Sequence, residues 1–300
     1  MSVLITGSGG LLGSKLAEIL SERGYIIYSG YYSNKPLRGI PINLDVSSEE
    51  SVREAFKISR PEVVVHAAAL TNVDKCEIDK ELAWNTNVVG TRNIAKASEE
   101  YNALLIYIST DYIFKGDKGM YKEEDKPEPI NYYGLTKLKG EEEVKSLVSN
   151  YLIARASVIY GAMPASGKTN FALWIIENLK RGEKIKVVVD QWNSPTLNTS
   201  LAEMISEAIE RKITGTYHLA GATRISRYDF AKQLAKTFDL REDLIMPVSS
   251  DEISWTARRP KDSSLDVSKA LKTFHNKPLN IKDAMEKLRE EIDGKAGPIL

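Results

Sequence analysis

Short runs of Val, Ile and Leu alternate with stretches of helical period through the first half of this chain. That alternation limits the fold more than any other feature. Val3-Leu4-Ile5, Tyr25-Ile26-Ile27-Tyr28, Val63-Val64-Val65 and Leu104-Leu105-Ile106-Tyr107-Ile108 read as strands. They are continuously apolar, as expected of strands buried on both faces. Between them, Leu11-Leu12, Leu16-Ala17 and Ile19-Leu20 keep helical spacing up to Arg23-Gly24, where the glycine can stop a helix. Ser47-Ser48-Glu49-Glu50 has capping-box spacing ahead of Val52, Ala55 and Phe56, and helical patterns recur around 80–100. This pattern predicts an α/β fold, a doubly wound parallel sheet covered by helices. After about residue 160 the alternation loosens. Gly161 to Gly167 reads as a loop, helical patterns lie at 169–181, 200–211, 227–238 and 281–292, and segments near 185–189 and 215–219 return as strands. The tail from Asp293 to Leu300 is expected to fray.

The first turn gives the sheet a ligand. Gly7-Ser8-Gly9-Gly10-Leu11-Leu12-Gly13 links the first strand to the first helix. Its Gly7-x-x-Gly10-x-x-Gly13 spacing lets backbone N–H groups approach a pyrophosphate at a helix N-terminus. The expectation is therefore a Rossmann-type dinucleotide domain over 1–160, with return segments near 190–215. A smaller, less regular substrate lobe is expected over 161–300. The second strand ends Ser29-Gly30-Tyr31-Tyr32-Ser33-Asn34-Lys35 with no acid, and Arg38 follows. An acid there would meet the ribose hydroxyls of NAD. Ser33, Lys35 and Arg38 suit a 2′-phosphate instead, which favours NADPH and leaves NADH open. Asp45 and Val46 could border the adenine, and Asp45 reads equally well as a helix-start acid. Ala67, Ala68 and Ala69 offer small side chains where backbone must pass a flat cofactor. Asn87, in the following helical stretch, is placed with the cofactor contacts. His66 reads as a core histidine.

Tyr-x-x-x-Lys occurs as Tyr31/Lys35, Tyr133/Lys137 and Tyr228/Lys232. The second follows a strand closed by Ser109-Thr110, and it begins what reads as a helix. Residues four apart share a helix face, so Tyr133 and Lys137 can point into one cleft. The three groups suit carbonyl reduction. Tyr133 is a protonated acid at neutral pH, Lys137 favours the tyrosinate, and Thr110 holds the substrate oxygen.

Composition narrows the alternatives. A 42% hydrophobic, 27% charged chain of 300 residues with zero formal net charge reads as globular, with no polyanionic nucleic-acid partner. The single cysteine, Cys76, fits a reducing, cytoplasmic compartment. No run is long and apolar enough to span a membrane, and a strand beginning at Val3 leaves no room for a signal peptide. Three scattered histidines offer no metal site. A homodimer is left open.

With these residues quoted, the chain resembles an extended short-chain dehydrogenase/reductase, and more narrowly the dTDP-4-dehydrorhamnose reductase family. The marks are the glycine turn, Ala67-Ala68-Ala69-Leu70-Thr71-Asn72-Val73-Asp74, Ser109-Thr110-Asp111-Tyr112, Tyr133-Gly134-Leu135-Thr136-Lys137, Ser194-Pro195-Thr196 and Arg258-Arg259-Pro260. The resemblance implies reduction of the 4-keto group of a dTDP-linked deoxysugar, with Thr110, Tyr133 and Lys137 catalytic. It implies cofactor roles for Gly10, Leu11, Leu12, Asp45, Val46, Ala67 to Ala69, Tyr133 and Lys137. It implies substrate contacts from Thr110, Asp111, Tyr112 and Val158, and pairing of Arg259 with the diphosphate. The segment Arg155-Ala156-Ser157-Val158 departs from the family's Arg-Thr-Ser-Trp, whose indole is a platform for the sugar. Trp192 is expected either to replace it or to lie in the core. Two rivals stay open: another sugar-nucleotide enzyme such as an epimerase, and a non-catalytic subunit like the β subunit of methionine adenosyltransferase.

Overall fold

The computed structural model describes residues 1–163 and 169–295. The chain runs β1 (Ser2–Thr6), α1 (Leu11–Glu22), β2 (Ile26–Tyr31), β3 (Ile40–Asn43), α2 (Glu49–Ser59), β4 (Val63–His66), α3 (Val73–Ile78) and α4 (Lys80–Trp84). A π-helical turn, Asn85–Val89, joins α4 to α5 (Gly90–Glu100). β5 (Leu104–Thr110), α6 (Tyr132–Leu147), β6 (Tyr151–Ala156), β7 (Ile159–Tyr160), α7 (Phe171–Lys180) and β8 (Ile185–Val188) follow. Then come β9 (Trp192–Asn193), β10 (Thr196–Leu197), α8 (Asn198–Arg211), β11 (Gly215–His218), β12 (Ile225–Ser226), α9 (Arg227–Thr237), β13 (Ile245–Val248), α10 (Ser268–Thr273) and α11 (Ile281–Lys295).

Seven strands form one parallel sheet in the order β11-β6-β5-β4-β1-β2-β3. The order reverses between β1 and β4, the switch point where such sheets bind ligands beyond their carboxyl ends. The continuous apolar strands have the two-sided burial that the sequence implied. On one face Ile5, Val65 and Ile106 pack with α1 and α8; on the other Leu4, Val64, Leu105 and Tyr107 pack with α2, α5 and α6. A separate core, including Ile175, Phe230, Leu234 and Met285, joins α7, α9 and α11. Burying each such side chain contributes about 1.5–3 kcal/mol.

Several local expectations change. The 215–218 segment joins the main sheet as β11, whereas 185–188 pairs with β13 in a small two-stranded sheet. The residues from 293 to 295 continue α11 instead of fraying, and 296–300 lie outside the described residues, as do 164–168 of the expected loop. Ser48 caps α2 by accepting the Ser51 amide, so Ser51 occupies the place a capping-box glutamate would take. Gly24, with φ +81°, closes α1 as read. Among the described residues no helix is long and apolar enough to cross a membrane.

Candidate active site

A cavity of about 930 Å³ opens at the carboxyl ends of the strands. The glycine turn forms one end. Gly7 has φ +66°, and a β-carbon there would come within 2.8 Å of the Ala68 backbone, so the turn and the Ala67–Ala69 segment pack main chain on main chain. Gly10 caps α1 without a side chain, and the first turn holds no acid, so the leading amides of α1 face the cavity without an internal anion. This is the arrangement that a dinucleotide pyrophosphate fits. Gly7, Gly10, Leu11, Leu12 and Gly13 line this end, with Ser33, Asp45, Val46, Ala67, Ala68 and Ala69. Lys35 and Arg38 lie exposed on the same loop, outside the lining. Asp45 does not cap α2, which starts from Ser48. It lines the cavity while one oxygen accepts the amide and hydroxyl of Ser47, closing a turn before α2.

A buried polar chain holds the alanine segment. The Ala68 amide donates to Thr6 Oγ1, which lies 2.7 Å from His66 Nδ1; His66 Nε2 lies 3.1 Å from Thr91 Oγ1, which donates to the Asn87 carbonyl. Burial, with the charge of Lys137, lowers the His66 pKa to about 3, so the ring is a neutral connector, the core histidine expected. Asn87 stays outside the cavity lining. Its side chain accepts from Leu70 N and donates to Leu70 O and Thr136 Oγ1, tying the cavity wall to α6.

β5 and α6 bring the reactive groups together. Asn131 caps α6 by accepting the Gly134 amide at 2.8 Å. A β-carbon on Gly134 would stand 2.1 Å from the Tyr112 carbonyl, so the first turn of α6 rests directly on the segment after Thr110. Thr110, Asp111, Tyr112, Tyr133 and Lys137 all line the cavity. Tyr228 and Lys232 also begin a helix, α9, so helical setting does not single out Tyr133; the strand-end hydroxyl and burial do. Burial raises the Tyr133 pKa above 10, with the Thr110 hydroxyl opposing and Asp111 adding to it. Lys137 is only 3% exposed, its Nζ 4.0 Å from the Tyr107 ring centroid. Burial lowers its pKa to about 7 against the pull of Glu141. Lys137 therefore titrates near neutrality, and a nearby anion such as a tyrosinate would favour its charged form.

This has a measurable consequence. An unfolded lysine keeps its proton to about pH 10.4. Between about pH 7 and that value the unfolded chain carries a proton that folded Lys137 has released, so this group's contribution to stability rises with pH there. Lys137→Met should flatten that rise, seen as a smaller difference in urea midpoint between about pH 7 and pH 9 than the parent shows. An equal difference in the two proteins would contradict it.

Asp111 is buried and accepts hydrogen bonds from Thr110, Ser157 and Ser263. Burial raises its pKa, and the three hydroxyls and Arg227 partly offset this. Ser157 leads to Val158, which lines the cavity with φ +40°, a left-handed conformation that a β-branched residue adopts at a cost. The Ser157–Asp111 bond at 2.9 Å and the Thr196 amide on the Val158 carbonyl at 3.2 Å hold it there. Val158→Gly should therefore raise stability by about 1 kcal/mol, read as a higher denaturation midpoint. A lower midpoint would show that packing of the isopropyl group outweighs the backbone cost.

Two residues expected at the substrate are not part of the cavity lining. Arg259 pairs with Asp74 at 2.8 Å and donates to the Ala257 carbonyl, which commits it outside the cavity. Trp192, half-buried in β9, packs under the Arg224 guanidinium at 5.2 Å, and Arg224 in turn pairs with Asp262. Conversely, the cavity wall includes Asn170, Phe171 and Arg227, none of them singled out by the sequence. The available signal was Arg227 itself, a cation in the first turn of a helix, where the dipole disfavours it.

Comparison with known proteins follows this geometry. The chain matches the family described as the RmlD substrate binding domain over residues 1–293. It is 32% identical over 288 residues to the dTDP-4-dehydrorhamnose reductase of Escherichia coli (strain K12), covering 91% of this chain and 92% of that protein. It is 31% identical over 274 residues to methionine adenosyltransferase 2 subunit beta of Xenopus tropicalis, covering 89% and 80%. The crystal structure of dTDP-4-dehydrorhamnose reductase from Bacillus anthracis str. Ames in complex with NADP has a TM-score of 0.87 and 35% identity, covering 96% of this chain and 98% of that one. These matches span the glycine turn, the Tyr133–Lys137 helix and the second core alike, and on them the chain belongs to the dTDP-4-dehydrorhamnose reductase family of oxidoreductases.

Proposed function

We propose that the protein is an NADPH-dependent reductase of the 4-keto group of a dTDP-4-keto-6-deoxyhexose, with dTDP-4-dehydro-L-rhamnose as substrate and dTDP-L-rhamnose as product. The observation that carries this reading is one continuous cavity, with an uncapped, acid-free helix N-terminus at one end and Thr110, Tyr133 and Lys137 at the other. Gly10, Leu11 and Leu12 would hold the pyrophosphate, and Asp45, Val46 and Ala67 to Ala69 would border the adenosine and nicotinamide halves. The absence of an acid at the end of β2, with Ser33 at the cavity, favours the 2′-phosphate. The lobe built on α7, α9 and α11 would receive the sugar nucleotide.

When bound, reduced nicotinamide supplies the hydride to the carbonyl carbon. The chain's own groups manage the oxygen. Tyr133, kept protonated by burial, donates its proton to the developing alkoxide. Lys137, one helical turn away, balances the tyrosinate left behind. Thr110 donates to Asp111 and accepts from Tyr112 N, and turning its one hydroxyl proton from Asp111 to the substrate would hold the oxygen in line. The single buried cysteine and the NADPH requirement suit the cytoplasm.

The test is consumption of NADPH and of NADH with dTDP-4-dehydro-L-rhamnose, with the sugar product identified by NMR. Rapid turnover, faster with NADPH, supports the reading. The resemblance to an adenosyltransferase subunit and the valine at position 158 favour one alternative, a regulatory subunit, which would bind NADPH and turn nothing over.

A further inference from the structure

The geometry points to Arg227, seated against Phe171, as the residue that recognises the substrate's diphosphate. This rests on the reading of the cavity as a nucleotide-sugar site and adds what selects the nucleotide half. Arg227 lines the cavity from the first position of α9. Among the described residues its side chain has no hydrogen-bond or ion-pair partner. The other arginines with buried or half-buried ends are taken: Arg155 by Glu141, Arg92 by Glu143 and Arg259 by Asp74. An unpaired, half-buried guanidinium at the first position of a helix is opposed by the helix dipole, so it is a charge waiting for an anion.

Its orientation is fixed without using its donors. The guanidinium carbon sits 5.0 Å from the Phe171 ring centroid, and Phe171 stacks in turn on Trp174 at 6.0 Å and Phe230 at 5.8 Å. Stacking on a ring face leaves the N–H fork at the edge free for bidentate contact with phosphate oxygens. Phe171 opens α7, whose cap Asn170 also lines the cavity, so a second helix N-terminus faces the same region. Arg227 also acts on the reacting end, since its charge lowers the pKa of Asp111. A pyranose carries its anomeric diphosphate across the ring from C4. With C4 at Tyr133, the diphosphate lies a ring's width off, where a cation of the same lining can meet it. Lys75, also in the lining, is exposed, on α3.

The experiment measures binding of dTDP and of thymidine to the NADPH complex of the parent, Arg227→Gln, Arg227→Lys and Arg259→Gln proteins. Losing a charge-assisted contact predicts dTDP binding about 10- to 100-fold weaker in Arg227→Gln, partly restored in Arg227→Lys. Thymidine and NADPH affinity should be unchanged, and Arg259→Gln should bind dTDP like the parent. Parent-like dTDP binding by Arg227→Gln overturns the inference, as does an equal loss for thymidine. A parent protein that binds NADPH yet neither dTDP nor its keto-sugar overturns the nucleotide-sugar reading itself.

Discussion

Tyr133→Phe should lower kcat for keto-sugar reduction by about 10³-fold, within the range of about 10²–10⁴ that a positioned acid contributes, with little change in NADPH affinity. In the proposed reaction the phenol protonates the oxygen, and the phenylalanine ring keeps the edge-to-face contact with Tyr112, whose centroid lies 6.1 Å away. In the proposed mode, cofactor binding at the glycine turn uses main-chain amides that the substitution leaves in place. The measurement is steady-state kinetics together with quenching of protein fluorescence by NADPH. A kcat within a few-fold of the parent would remove Tyr133 from the reaction. Loss of NADPH binding would make it a structural residue.

The second large effect concerns stability. Arg155→Leu should destabilise the fold by about 3–5 kcal/mol, the usual cost of stripping one partner from a buried ion pair. Arg155 is 2% exposed, and its Nε and a terminal nitrogen meet the two Glu141 oxygens at 2.9 and 2.8 Å. Burial alone would raise the Glu141 pKa, but the Arg155 hydrogen bonds and charge, with Ser109, hold it below the usual carboxylate range. Removing the arginine leaves that buried carboxylate with only the Ser109 hydroxyl and the more distant Lys145 ammonium, at 3.5 Å. Glu141 also accepts from Ser109 at 2.7 Å, immediately before Thr110, and lies one turn beyond Lys137 on α6. The pair therefore fixes the strand and the helix that carry the three reactive groups. Urea unfolding of Arg155→Leu and of the Glu141→Leu/Arg155→Leu double variant checks this. The double variant should lose less than the single, because no unpaired charge remains. Equal losses would mean that packing, not charge, dominates the site.

The parts of the fold that were legible in the sequence are those encoded locally. Val3 to Ile5, Val63 to Val65 and Leu104 to Ile108 declare two-sided burial in their composition alone, and Gly24 stops α1 by a backbone conformation that glycine reaches freely. The helix bearing Tyr133 and Lys137 follows from its own period. What was not legible depends on partners distant in sequence. The β13 segment, Ile245-Met246-Pro247-Val248, carries a proline, and among the described residues it pairs with β8 alone, an edge setting in which a strand tolerates proline. Arg259 and Arg227 are both arginines in the second half of the chain. Nothing local reveals that Asp74 lies beside the first and an open cavity beside the second. Trp192 fits either a platform or the interior in composition, and the approach of Arg224 decides its place. The Lys137 pKa is likewise a tertiary property, since the burial that brings it to about 7 comes from the elements packed around α6.

The most direct test of the account follows the hydride. The protein would be supplied with dTDP-4-dehydro-L-rhamnose and NADPH deuterated at the transferable position of nicotinamide C4, and the product sugar read by NMR. The account predicts one deuterium at sugar C4 and none at other carbons, with the label absent from the product of Tyr133→Phe under the same conditions. Unlabelled product, or label at a carbon other than C4, would contradict it.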